Sequence, residues 1–183
     1  MAVRNFNPTT SSRRGTKLGD RSGLEKAKGP RGLTVAKKQK SGRNNMGKIT
    51  VRHRGGGFKR RVRVVDFKRD KFGVPGKVEG FYFDPNRTAH LALLQYSDGE
   101  RRYIIAPKGI KVGDTLVSGE KADILPGNAM MVKHIPSGTI VHCVENIPGK
   151  GATFGRSAGG AIIVQGPDTT GKYVQLKMPS GEI

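Results

Sequence analysis

The chain has 183 residues, with 34 Lys and Arg against 14 Asp and Glu, a net charge of +20. That length allows one or two domains, and that charge points to a polyanionic partner. A lone cysteine, Cys143, excludes an intrachain disulfide framework and fits a reducing compartment. No apolar run approaches a membrane span, and the absence of Trp weighs against a wide base-stacking platform.

The charge is concentrated at one end. Residues 1–61 hold 18 Lys and Arg against 2 Asp and Glu, a charge of +16, which leaves +4 for residues 62–183. The first fifteen residues lack the apolar core of a secretory signal, so none is expected. Residues 1–40 show no hydrophobic period, and Gly15, Gly19, Gly23, Gly29, Pro30 and Gly32 break any helix early. A long, irregular basic N-terminal arm is expected, disordered alone and ordered on a partner. Its densest part is the stretch from Ser41 to Arg69. There Arg43, Lys48, Arg52, His53, Arg54, Lys59, Arg60, Arg61 and Arg63 surround the Gly55-Gly56-Gly57 run. Such a segment cannot bury its charges unpaired. It can lay guanidinium, ammonium and backbone N–H groups along phosphates. The alternatives are a solvated charge run or a basic targeting patch.

From Val62 the pattern changes. VRVVDF (62–67), KVEGFYF (77–83), HLALLQY (90–96), RRYIIA (101–106) and TLVSG (115–119) are strand candidates. Asp98-Gly99 is a hairpin signal between two of them. A second unit starts after Leu125-Pro126-Gly127, with candidates NAMMV (128–132), TIVHCVE (139–145), GAIIVQ (160–165) and KYVQLKM (172–178). No window sustains a helical stripe. The expectation is an all-β chain of three parts: arm 1–61, a small barrel or sandwich at 62–125, and another at 126–183. Body units this small are marginal alone and gain from docking on a large partner.

No catalytic or metal constellation emerges. His53 lies among arginines with no carboxylate near it in sequence to orient it. His142 and Cys143, adjacent in an expected strand, would face opposite ways and make no zinc site. Asp66 and Asp84 lie near arginines and suit ion pairs that fix those side chains. GKGATFGRSAGG (149–160) lacks P-loop spacing. Lys150 and Arg156 in it, and Arg87 after the Asp84-Pro85-Asn86 turn, are loop cations: RNA probes or solvated tips.

GRNNMGKITVRHRGGGFKRR, VDFKRDK, FDPNRTAHLALLQYSDGERRYIIAPKG, GDTLVSG, PGNAM, IPSGTIVHCVE, PGKGATFGRSAG and KMPSGE follow one another in this chain. Their order and spacing resemble the bacterial-type ribosomal protein L-two family of the large subunit. The resemblance is dense over 41–183 and loose over 1–40. It implies an OB-fold barrel followed by an SH3-like barrel, the second incomplete here because family members continue well beyond the position of Ile183. It implies a non-enzymatic protein of the large ribosomal subunit, in bacterial cytoplasm or an organelle matrix, supporting subunit association and the peptidyl-transferase region. Implied partners are large-subunit rRNA and other large-subunit proteins, with no membrane. No cofactor is expected, since structural Mg2+ would belong to the RNA. Family RNA-contacting positions fall on Arg69, Lys71, Arg87 and Arg156. With Lys68, Arg101, Arg102, Lys150 and the arm cations named above, these make the expected RNA-binding set. A separate C-terminal polypeptide pairing beside residues 172–178 is the expectation for the second barrel. Capping by RNA or another protein, or a longer gene product, are the alternatives.

Overall fold

An uninterrupted apolar run such as LALL has no polar side to give to water, so a strand built from it must be covered on both faces. The computed structural model, which describes residues 3–25, 29–120 and 122–183, covers it so. Strand β6 (Leu91–Tyr96) lies between β5 (Gly76–Tyr82) and β7 (Arg101–Ile105), and β8 (Thr115–Leu116) extends the sheet beyond β5. All pairings are antiparallel, and the sheet curls into a half-barrel. The β6–β7 turn is the expected one: Gly99 takes φ 84°, which a glycine adopts without steric cost, and its N–H donates to the Tyr96 carbonyl at 3.0 Å. A bulge between Val78 and Gly80 keeps Val78 and Phe81 on one face.

The inner face carries Val78, Ala92, Leu94, Tyr96, Ile104 and Leu116. The outer face carries Leu91, Leu93, Tyr103 and Ile105, and it is closed by Leu33, Val65, Phe67 and Cys143 from other segments. Burying each of these large side chains contributes about 1.5–3 kcal/mol.

Part of the cover on the outer face comes from the arm, through Leu33. Strand β3 (Thr34–Ala36) pairs with β4 (Arg61–Arg63), so the expected boundary after residue 61 falls inside a strand pair. Asp66 N–H then donates to the Tyr103 carbonyl at 2.8 Å, and Glu25 N–H donates to Phe81 at 2.7 Å. Gly29 sits so close to the Tyr103 ring that a Cβ there would lie 1.7 Å from its hydroxyl. The remainder of the arm is exposed but not featureless. Strand β1 (Val3–Asn5) pairs with β2 (Lys17–Gly19) across a helical turn, α1 (Ser11–Arg14). Arg4 and Arg13 both lie over the Phe6 ring between them.

The second unit holds β9 (Ile140–Val141), β10 (Ile162–Pro167) and β11 (Val174–Lys177), ordered β11-β10-β9. Its buried hydrophobic residues are Val144, Ala152, Ile162 and Val164. Two expectations need correction here. Residues 128–132 form no named strand. Asn128 accepts from Val117 N–H at 2.9 Å and donates to the Asp123 carbonyl at 2.9 Å, tying the segment into a loop. Only Ala129 makes a bridge, to Ser118, before a 3-10 turn over Val132–His134. His142 and Cys143 lie outside β9, because Cys143 turns to φ 54° as its N–H reaches the Gly155 carbonyl.

Candidate nucleic-acid interface

The arm's cations are presented by a loop that bonds to itself. Asn44 Oδ1 accepts from Met46 N–H at 3.0 Å and Lys48 N–H at 2.9 Å. Arg43 donates to the Gly47 carbonyl at 2.9 Å, and Thr50 and Val51 N–H both donate to Gly42. Gly42, at φ 69°, packs against Val51, whose carbonyl oxygen would lie 2.1 Å from an added Cβ. The loop leaves Arg43, Lys48, Arg52, His53, Arg54, Lys59 and Arg60 exposed. His53 sits at φ 56°, a conformation uncommon outside glycine.

Where arm and sheet meet, the turn Asp84-Pro85-Asn86 gathers the cations. Asp84 is fully buried and accepts from Arg87 Nε at 2.7 Å and from the Asn86 main-chain N–H at 3.0 Å. Arg63 stands 3.6 Å away. Burial alone would raise this carboxyl's pKa; the bonds from Arg87 and Asn86 outweigh it and hold it below the ordinary value. Asn86 donates to the Arg61 carbonyl at 2.8 Å and accepts from Lys37 at 3.3 Å, and Arg60 donates to Pro85 at 3.1 Å. Arg61 reaches Thr34 instead, within its own strand pair.

Arg87 then extends over the Phe67 ring, with its guanidinium carbon 5.7 Å from the centroid. Arg156, from the Gly-rich loop of the second unit, lies over the same ring at 5.5 Å. Ala158 N–H donates to Thr88 Oγ1 at 3.1 Å, and Ala152 N–H donates to the Phe67 carbonyl at 3.0 Å. These bonds hold the Gly-rich loop against the first barrel. The P-loop reading fails on geometry as well as spacing: Gly149 and Gly151 N–H groups both donate to the Glu145 carboxylate, so they are not open to a phosphate. Lys68 and Lys150 are exposed near these loops in sequence.

The remaining expected residues are tied within the protein. Asp66 Oδ1 accepts from Lys68 and Arg69 N–H, which turns Arg69 to φ 53° and sends its side chain inward. Arg69 donates to Ser118 Oγ at 3.1 Å and to the Gly127 carbonyl at 3.1 Å, joining the start of the first barrel to its last strand region and to the start of the second unit. Lys71 pairs with Asp98 and with Glu100, the latter at 2.6 Å. Arg102 pairs with Asp70, with Asp66 at 3.0 Å and with Glu100 at 2.6 Å; the hydrogen bonds it donates to these carboxylates, Glu100 foremost, raise its pKa above the ordinary value. Arg101 pairs with Glu79 at 3.1 Å. Asp66 and Asp84 are thus the arginine-fixing acids expected from their positions.

Aromatic stacking surface is scarce. Tyr96 and Tyr103 are buried. Arg21 lies 3.7 Å from the Phe83 centroid, and Gly29 backs onto Tyr82 and Tyr103. These arm contacts cover aromatic rings on which the bases of a single strand would otherwise stack. Among the described residues, no group of His, Cys, Asp or Glu is placed to hold a metal, and no helix is long and apolar enough to cross a membrane. Phe67, Thr88 and Lys37 were absent from the sequence-derived set. Their roles depend on contacts between distant segments, which leave no local pattern.

Residues 30–118 match the family described as ribosomal proteins L2, RNA binding N-terminal domain, and residues 125–183 match ribosomal proteins L2, C-terminal domain. The chain belongs to the ribosomal protein L2 family. Membership makes it a ribosomal large-subunit protein that binds RNA, with an OB-fold first barrel and an SH3-like second unit. The L2 RNA-binding match begins at residue 30, so Leu33 and the β3–β4 pair lie within the matched domain, while Glu25 and Gly29 lie just before it.

Proposed function

We propose that this L2-family chain is a structural, non-enzymatic constituent that grips large-subunit rRNA in two ways. The exposed loop cations Arg43, Lys48, Arg52, Arg54 and Lys59, with Arg60, neutralise phosphates along the arm, and His53 among them is a further RNA contact. Arg87 and Arg156 act together, with Lys68 and Lys150 beside them, where the two barrels meet. The three parts 1–61, 62–125 and 126–183 divide this work between them. In this reading the bound chain supports subunit association and the peptidyl-transferase region, with neighbouring large-subunit proteins as further partners. The observation that carries the reading is the convergence of Arg87 and Arg156 on Phe67. Two guanidiniums from different barrels held over one ring recognise RNA shape rather than base sequence.

The test is binding of the purified chain to large-subunit rRNA at several salt concentrations. Neutralising about 6–10 phosphates makes affinity fall by roughly 10³–10⁵ between 50 and 200 mM salt on duplex DNA, with shallower slopes on single strands. Arg87→Ala and Arg156→Ala are each expected to cost about 1.5–3 kcal/mol, the range for hydrogen bonds to charged groups. Salt-independent binding, or wild-type affinity in both variants, overturns the reading.

A further inference from the structure

We infer that Asp84 is the positioning residue for RNA binding, a buried carboxylate that orients Arg87 toward RNA. The inference rests on the RNA-binding reading above and adds a residue that itself touches no RNA.

Asp84 has no exposed surface. A buried carboxylate is costly unless its lone pairs are met. Here they are met by Arg87 Nε, by the Asn86 main-chain and side-chain N–H groups, and by the nearby Arg63 guanidinium. Each of these partners leads to a different part of the molecule. Arg87 leads to Phe67 and so to Arg156. Asn86 leads to Arg61 and Lys37 in the arm. Arg63 belongs to β4, the strand through which the arm joins the sheet. Thr88, one residue beyond Arg87, holds the Gly-rich loop through Ala158.

The geometry has a chemical consequence for Arg87. Its Nε–H is committed to Asp84, so the guanidinium is fixed in direction and its terminal N–H groups are left to reach outward. A free arginine would have to lose rotamer freedom on binding, and this one is already ordered. The carboxylate does lower the net charge beside the RNA. Because it is buried and shared among several donors, its role is geometric rather than repulsive.

The test is a double-mutant cycle on rRNA affinity with the full chain. Asp84→Asn keeps the shape and removes the charge. It is expected to weaken binding on the order of tenfold and to lower the salt slope by about 0.7–0.9, the loss of one phosphate contact. In the Arg87→Ala background the same change should cost little more, because the residue acts through Arg87. An equal cost in both backgrounds means that Asp84 only stabilises the fold, which overturns the inference. Should Asp84→Asn fail to fold, Arg87→Lys gives the answer around an intact Asp84. A lysine keeps the charge but loses the guanidinium's second set of donors, so it should bind nearly as weakly as Arg87→Ala. Full affinity with lysine overturns the inference. If wild type does not bind the rRNA, the functional reading itself has failed. If wild type binds, Arg87→Ala weakens it and Asp84→Asn does not, only the inference has failed.

Discussion

Between residues 3 and 61, no described Lys or Arg forms an ion pair with a described carboxylate. In the body, Arg63, Lys71, Arg87, Arg101 and Arg102 all do. The arm therefore offers charge that no described carboxylate neutralises, while these five body cations offer charge already fixed in direction. Free cations give affinity and a steep salt dependence. Fixed cations give register at the cost of part of their charge. One chain thus separates how strongly it holds RNA from where it holds it.

The largest effect should come from stripping the arm. Changing Arg43, Lys48, Arg52 and Arg54 together to Gln is expected to lower the salt slope by about 3 and to weaken rRNA binding by roughly 10²–10³ at 100 mM salt. Thermal unfolding should hardly move, because these side chains are exposed. A slope that stays at the wild-type value would assign the phosphate contacts to the body and erase the distinction.

The arm's inner segment should behave in the opposite way. Gly29→Ala places a methyl against the Tyr103 hydroxyl and is expected to cost about 1–3 kcal/mol in urea unfolding. The salt slope should not change. Within the body, Arg102→Met removes the partner of Asp66, which is nearly buried, and of the more exposed Asp70 and Glu100. About 1–2 kcal/mol of stability should be lost, mostly through Asp66, with rRNA affinity little affected. A large affinity loss with normal stability would move Arg102 from the fixed group to the RNA-contacting group.

The smallest effect is on pH dependence. Burial holds the imidazoles of His90 and His142 below the ordinary value of 6.5, with Arg21 adding to the effect at His90 and Arg69 at His142. The unfolded chain therefore takes up these protons first. Stability from this source is complete above about pH 6.5 and declines as pH falls below it. Unfolding midpoints at pH 7.5 and 5.5 measure the decline, and His142→Phe should flatten part of it.

Much of the first barrel was legible. The apolar run at 91–94 announced a strand, and Asp98-Gly99 announced its return. What covered the second side was not legible, because Leu33 and Gly29 lie in a stretch whose charge and glycines hide any period. The pairing of β1 with β2 escaped for the same reason: all its residues are exposed, so no alternation marks them. Arg87 and Arg156 could each be recognised as loop cations. Their meeting on Phe67 could not, since it joins three segments far apart in sequence. Arg69 entered the expected set through the resemblance, and its φ of 53°, which turns its side chain into the protein, left no mark in the local sequence.

The seat of Gly29 on Tyr103 also sets an order of events during synthesis. Gly29 and Leu33 emerge long before the strand they cover, and β3 cannot pair until β4 has been made. The N-terminal part of the chain must remain solvated while the central hairpin forms, and its charge suits it to that wait. Until it returns, Leu91, Leu93 and Tyr103 present an apolar face to water. Transiently exposed apolar surface of this kind is prone to aggregate. Truncations that remove residues 29–36 should make it permanent, giving a protein that is made but collects in insoluble form.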